Sequence, residues 1–243
     1  MLPQHAPLYP ELPYEYSGYK RVSLFGHANE DAIRRLLPPS LEYVSNEFEA
    51  FVLSAPDVEG LSPYHEGGLV VSAGYDDIDG AHMLCEYVDD DGAVAAGREI
   101  WGYPKKMADV TLTERDDAVR GTISRNGTDI LEISFKDADV NPTRPQLFPR
   151  LQNKQIPSAD GSGYDVNQIV KMSFEGDSSD FDADSVRERR TGTGDLTLNS
   201  TDTDPLQEIE PFEVTGGMVT YGDFSLGTGE VIADFTQGES TDV

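Results

Sequence analysis

"GGLVVSAGYDDIDGAHMLCEYV", residues 67–88, decides the fold class. Two apolar-rich runs, Gly67–Tyr75 and Gly80–Val88, flank a short segment of Asp and Gly, which reads as two β-strands joined by a tight turn. Outward from this hairpin the pattern recurs in "EFEAFVLSA" (47–55), "AVAAGREIWGY" (93–103), "MADVTLTER" (107–115), "AVRGTISRN" (118–126) and "DILEISFKD" (129–137). "YDVNQIVKMSFEG" (164–176), "DLTLN" (195–199) and "VTGGMVTYGDFSLGTGEVIADF" (214–235) continue it towards the C-terminus. Regularly spaced strands with Gly, Asp and Asn turns predict an α+β fold built on a mainly antiparallel β-barrel or cone.

Towards the N-terminus, "RVSLFGH" (21–27) reads as a further strand. "ANEDAIRRLLPPSLEY" (28–43) predicts one of a few flanking helices, with Asn29 as N-cap and Pro38 and Pro39 as its stop. Residues 1–20, rich in proline and tyrosine, read as an extended arm lying on the body or on a neighbouring subunit. "EGDSSDFDADSVRERRTGTGDL" (175–196) is the least strand-like stretch and is expected as a solvated loop insertion. No linker long enough to separate two units is apparent, so residues 1–243 are expected to form one domain.

Charge excludes several classes of function. Forty-five acidic against eighteen basic residues give a net charge of -27. A phosphate backbone requires a cationic footprint, so nucleic acid is not an expected partner. The carboxylates are spread along the chain rather than gathered in a tail, which predicts a salt-adapted, halophilic surface whose self-repulsion is screened by concentrated salt. No apolar run approaches the length of a membrane span, and no cationic segment followed by an apolar run opens the chain. A single cysteine, Cys85, allows no intrachain disulfide. The expected address is the cytoplasm, with no membrane partner.

Few of the usual chemical motifs occur. His5, His27, His65 and His82 lie far apart and none has a second ligand at a metal-binding spacing, so no metal site is expected. Cys85 sits in an alternating segment and reads as a small core residue. What stands out is "GREIWGYPKK" (97–106): a chain with only six lysines sets two of them side by side behind Trp101 and Tyr103. A lysine amine attacks a carbonyl only when neutral, whereas its ordinary pKa is about 10.4. A neighbouring cation or desolvation can lower it. If residues 105 and 106 lie on a strand, their side chains point to opposite faces, which makes burial of Lys105 the main expected cause and Lys106 a longer-range contributor.

"GREIWGYPKK" resembles the signature of the acetoacetate decarboxylases, a family whose activated lysine is a standard example of this chemistry. "EDAIRRLLPPSLEY", "EGLSPYHEGGLVVSA" and "GAHMLCEYV" are similar to the same family, as are, more weakly, "NKQIPSADGS" and "FSLGTGEVIADF". The resemblance covers almost the whole chain. It implies a homo-oligomer without a cofactor, acting on a small keto acid through an imine on Lys105. Lys106 is then the pKa-tuning neighbour and Glu66 the acid facing the reacting carbon. Trp101, Tyr103, Arg98 and Glu99 are expected in the substrate pocket.

Two positions depart from the family pattern. In the ungapped register the arginine assigned to the substrate carboxylate falls on Tyr19, and a second active-site glutamate falls on Phe51, with Arg21 and Glu49 two residues away. A lysine imine serves decarboxylation of a β-keto acid, and equally aldol or dehydration chemistry on a 2-oxo acid. A family member that binds a keto acid without turning it over is the third alternative.

Overall fold

The computed structural model describes residues 3–173 and 186–236. Among the described residues, sixteen strands carry the fold. In the first half they are β1 (Tyr14–His27), β2 (Glu42–Ala55), β3 (Asp57–Val58), β4 (Tyr64–Tyr75), β5 (Ile78–Val88), β6 (Lys105–Met107), β7 (Asp109–Arg115) and β8 (Ala118–Arg125). The second half adds β9 (Thr128–Asp137), β10 (Arg150–Pro157), β11 (Tyr164–Met172), β12 (Val186–Leu198), β13 (Ser200–Thr201), β14 (Asp204–Pro205), β15 (Glu213–Leu226) and β16 (Glu230–Asp234). Fourteen of them form one sheet, in the order β16-β11-β10-β5-β4-β2-β1-β15-β12-β9-β8-β7, with β3 on β1 and β6 on β5. Pairing is antiparallel except where β5 meets β10 and β6. The sheet is strongly β-rich with few helices, as expected, but it is not closed: β16 and β7 are its two ends.

Hydrophobic alternation along the strands divides the buried side chains between two cores. One contains Val22, Leu24, Phe48, Val52, Ile123, Ile133 and Phe135. The other contains Tyr14, Tyr16, Tyr19, Phe51, Met83, Trp101 and Phe148. The second core, richer in aromatic rings, surrounds the candidate site. Helix α1 (Glu30–Leu36) starts where the Asn29 side chain accepts from the Ala32 amide at 2.9 Å. Pro38 and Pro39 follow its end and cannot continue its hydrogen bonding.

Several expectations are corrected. β1 already begins at Tyr14 and pairs with β15 and β3, so of the expected arm only residues 3–13, among those described, lie outside the sheet. "AVAAGREIWGY" is helical: α2 (Asp91–Ala96), capped by Asp90, runs into a π-helical turn over Gly97–Trp101. Small residues at Ala93, Ala95 and Ala96 imitate a buried strand, yet alanine favours helix and the Asp90 carboxylate satisfies the Ala93 amide. Of the loop expected over 175–196, residues 175–185 lie outside the described residues, and the remainder belongs to β12. No helix among the described residues is long and apolar enough to cross a membrane.

Candidate active site

The backbone around Lys105 is fixed before its side chain matters. Gly102 ends the π-helical turn in the left-handed conformation, φ 85°, and its amide and that of Tyr103 both donate to the Gly97 carbonyl at 3.0 Å. Pro104 bars further helix, and the chain enters β6, parallel to β5, with Lys105 opposite Glu86 and Lys106 opposite Tyr87. Arg98 Nη1 donates to the Lys105 carbonyl at 3.1 Å and holds the strand start in place. Gly97 makes room for the lysine: a Cβ there would lie 2.5 Å from Lys105 Cδ and 2.7 Å from Cε.

Strand alternation then separates the two lysines. The Lys105 side chain enters a cavity of about 50 Å3, space for roughly four waters. The Lys106 side chain crosses to the opposite face, where Nζ donates to Asp204 Oδ1 at 2.9 Å and to the Thr203 carbonyl at 2.6 Å. Asp204 is wholly buried and also accepts from Tyr87 and Arg125, so Lys106 ties β6 to the β13–β14 hairpin. The pKa-tuning role expected of Lys106 is not what this geometry supplies.

The charges acting on Lys105 are carboxylates. Nζ donates to Glu66 Oε2 at 2.8 Å and lies 3.9 Å from Glu86 Oε2; the Tyr64 and Tyr103 ring centroids are each 5.9 Å away. Burial alone pushes the amine down, but Glu66 and then Glu86 outweigh it, and the ammonium form is held above its ordinary range. The expected lowering is therefore reversed in the resting site. One ammonium cannot neutralise two carboxylates equally. Glu66 takes the short bond, while Glu86 is left buried with no hydrogen bond to Oε2; burial pushes its carboxyl up to about 8 despite Lys105.

Glu86 reaches the cavity because β5 is irregular. Leu69 pairs with Cys85 but Val70 pairs with Met83, so Leu84 is an extra residue on its strand. This bulge turns Glu86 to the same side as Met83 and sends Cys85 to the other face, where burial pushes its thiol up to about 12. Strict alternation in "AHMLCEYV" would place Cys85, not Glu86, beside Met83.

A buried charge cluster forms another part of the wall. Arg21 on β1 donates from Nε to Glu49 Oε1 at 3.1 Å, with Nη2 at 2.8 Å, and its guanidinium lies 3.7 Å over the Phe51 ring. Ser23 also donates to Glu49 Oε1. Arg150, at the start of β10, lies 3.7 Å from Glu49 Oε2. Both arginines line the cavity with Lys105, Glu66 and Glu86. Arg21 and Glu49 stand two residues from Tyr19 and Phe51, and a step of two along a strand keeps the same face. A guanidinium therefore reaches the site although Tyr19 occupies the position expected for arginine.

Trp101 and Tyr103 line the cavity, their rings 6.3 Å apart at 74°. Arg98 and Glu99 do not: both are exposed, border a neighbouring surface cleft with Gly102 and Pro104, and Glu99 accepts from Tyr9. The π-helical turn, rather than the expected strand, points them outward. Among the described residues no three His, Cys, Asp or Glu side chains are grouped to hold a metal.

Comparison with known proteins identifies the family and the fold. The family model described as acetoacetate decarboxylase matches residues 6–235. Acetoacetate decarboxylase 1 of Mesorhizobium japonicum is 28% identical over 241 residues, 96% of this chain and 94% of that protein. The Paraburkholderia phytofirmans acetoacetate decarboxylase is 27% identical, covering 96% and 92%. The crystal structure of acetoacetate decarboxylase from Legionella pneumophila superposes with a TM-score of 0.83 at 25% identity, over 96% of this chain and 94% of that one. The enduracididine biosynthesis enzyme MppR, solved with the condensation product of pyruvate and imidazole 4-carboxaldehyde, shares the fold with a TM-score of 0.76 at 19% identity, covering 94% and 92%. With a match to the family model from residue 6 to residue 235, the chain belongs to the acetoacetate decarboxylase family.

Proposed function

We propose that this protein is a cofactor-independent Schiff-base lyase that decarboxylates acetoacetate or a similarly short β-keto acid through an imine on Lys105. One observation carries the reading: a buried lysine amine, 2.8 Å from a carboxylate, opens into a small cavity that two arginines also line.

The raised pKa of Lys105 is compatible with this chemistry. An ammonium and a ketone become an iminium and water with no net change in charge, so the Glu66 carboxylate that holds the ammonium also holds the iminium. Only the attack itself needs a neutral amine, and Glu66 accepts the proton along its existing hydrogen bond. Nitrogen bonds to the ketone carbon, water leaves, and the electrons of the breaking carbon–carbon bond move into the iminium as carbon dioxide departs. Glu86, whose carboxyl burial pushes up to about 8, donates a proton to the enamine carbon and regains one from solvent. Water then hydrolyses the iminium, freeing the ketone and the lysine. Trp101, Tyr103 and Phe148 limit the water around these steps.

Aldol or dehydration chemistry on a 2-oxo acid is the second reading. It is favoured by the second carboxyl group beside Lys105, since an acid and a base together serve enamine formation from a substrate that keeps its carboxylate. Homo-oligomeric assembly and a salt-adapted cytoplasmic setting complete the proposal; light scattering in concentrated salt measures the first of these.

Sodium borohydride added with acetoacetate tests the reading. Irreversible labelling at Lys105, absent in Lys105→Ala, together with carbon dioxide release supports the decarboxylase. Labelling by 2-oxo acids without carbon dioxide release supports the second reading. No labelling with any 2-oxo or 3-oxo acid would overturn both and favour a binding protein.

A further inference from the structure

Arg150 is more deeply buried than most charged groups and less completely paired. It is 2% exposed. Its guanidinium lies 4.7 Å from the Phe148 ring centroid, and its nearest carboxylate oxygen, Glu49 Oε2, is 3.7 Å away. That oxygen makes no hydrogen bond, and Arg150 Nη1 has no partner among the described residues. The other Glu49 oxygen is committed to Arg21 and Ser23. Glu49 thus serves Arg21 closely and Arg150 only at a distance.

A buried guanidinium with an unmet donor is costly, and a fold keeps one where an anion arrives to complete it. Charge balance points the same way. Arg21, Arg150 and Lys105 are three cations; Glu49 and the ion-paired Glu66 offset two of them. Glu86, pushed up to about 8 by burial, adds little negative charge at neutral pH. One positive charge remains, in a space of about 50 Å3.

We infer that Arg150 anchors the substrate's carboxylate and makes the site selective for a short keto-acid monoanion, with the ketone at Lys105. The inference deepens the imine reading and rests on it only for the position of the ketone. Arg150 belongs to β10, a strand that carries no recognisable motif at this residue, and none of the roles implied by the family resemblance falls on it. When carbon dioxide leaves, the anion held by Arg150 goes with it, and the neutral ketone has no charge to retain it. The contact is made in the bound substrate and gains nothing as the bond breaks, so it lowers KM without raising kcat.

Two measurements test the anchor. On the wild-type protein, calorimetric titration compares butyrate, which has the carboxylate but no ketone, with butyramide, which has the same chain and neither a charge nor a ketone. Binding of butyrate at least about tenfold tighter is expected, a difference of about 1.4 kcal/mol; equal binding would overturn the inference whether or not Lys105 forms an imine. In Arg150→Gln, with Arg150→Lys as the conservative variant, the butyrate Kd and the acetoacetate KM are expected to rise at least about tenfold, with kcat nearly unchanged and partial recovery in the lysine variant. Borohydride labelling by acetone should match the wild type. An unchanged butyrate Kd in a folded Arg150→Gln protein, or equal losses for acetone and acetoacetate, sinks the anchor. Absence of acetone labelling in the wild type sinks the imine reading and leaves the butyrate comparison standing.

Discussion

Glu86 and Lys105 are register partners across the parallel β5–β6 pair, and the 3.9 Å between Glu86 Oε2 and Lys105 Nζ is a charge contact without a hydrogen bond. The relationship sets the site's response to pH. Burial pushes the Glu86 carboxyl up to about 8, above its ordinary value, which favours its protonated form at neutrality.

If Glu86 delivers the proton, turnover falls as pH rises through about 8, and Glu86→Gln loses that limb together with roughly a hundredfold in kcat. Stability carries the same sign. A carboxyl raised in the folded state contributes its full share below the unfolded pKa, and that share is lost as pH climbs through about 8. Chemical denaturation on either side of this value should show a smaller decline in the glutamine variant. An unchanged alkaline limb in Glu86→Gln would remove Glu86 from the mechanism.

Gly97→Ala should damage activity far more than stability. The new methyl would meet Lys105 Cδ at 2.5 Å and must displace the lysine stem. A shift of about 1 Å at a reacting group costs on the order of a hundredfold in rate. Initial rates and borohydride labelling, set against the melting temperature, provide the comparison; wild-type rates in this variant would mean the lysine has room to move.

Lys106→Met should do the reverse. Removing the ammonium takes one charged partner from buried Asp204, which keeps Arg125 and Tyr87. A loss of roughly 1–3 kcal/mol is expected for a charge-assisted hydrogen bond, in the lower half because Lys106 is partly exposed. Labelling of Lys105 should persist. Loss of labelling in a folded Lys106→Met protein would restore the tuning role to Lys106.

Salt should stabilise the protein. With a net charge of -27, raising sodium chloride from about 0.1 to 1 M shortens the Debye length from about 10 to 3 Å and screens the repulsion. A rise of several degrees in melting temperature is expected over that range, and a flat or falling curve would contradict the salt-adapted reading.

Much of this structure was legible in sequence, because apolar alternation reports which face of a strand is buried. β4 and β5 stand where their apolar runs put them, and the separation of Lys105 from Lys106 follows from strand geometry alone. β10 escaped detection since its inward face carries Arg150 and Gln152, both buried, so the strand nearest the charge cluster lacks an apolar signature. α2 was misread because alanine is compatible with either state when no polar residue marks a face. Glu86 was missed because a bulge is set by the register with β4, which no local window contains. Arg21 and Glu49 were read as displaced, yet the displacement of two preserves their side of the sheet.

The extra residue at Leu84 acts as a parity switch for the chain beyond it. Deleting it would leave Ala81, Met83 and Glu86 in simple alternation on the chamber side, whereas straightening the bulge with every residue retained would turn Glu86 out and bring Cys85 in, replacing a proton donor with a thiol next to Lys105. A slip of one residue in register against β4, with the sequence unchanged, would thus rewrite the reagents of this site.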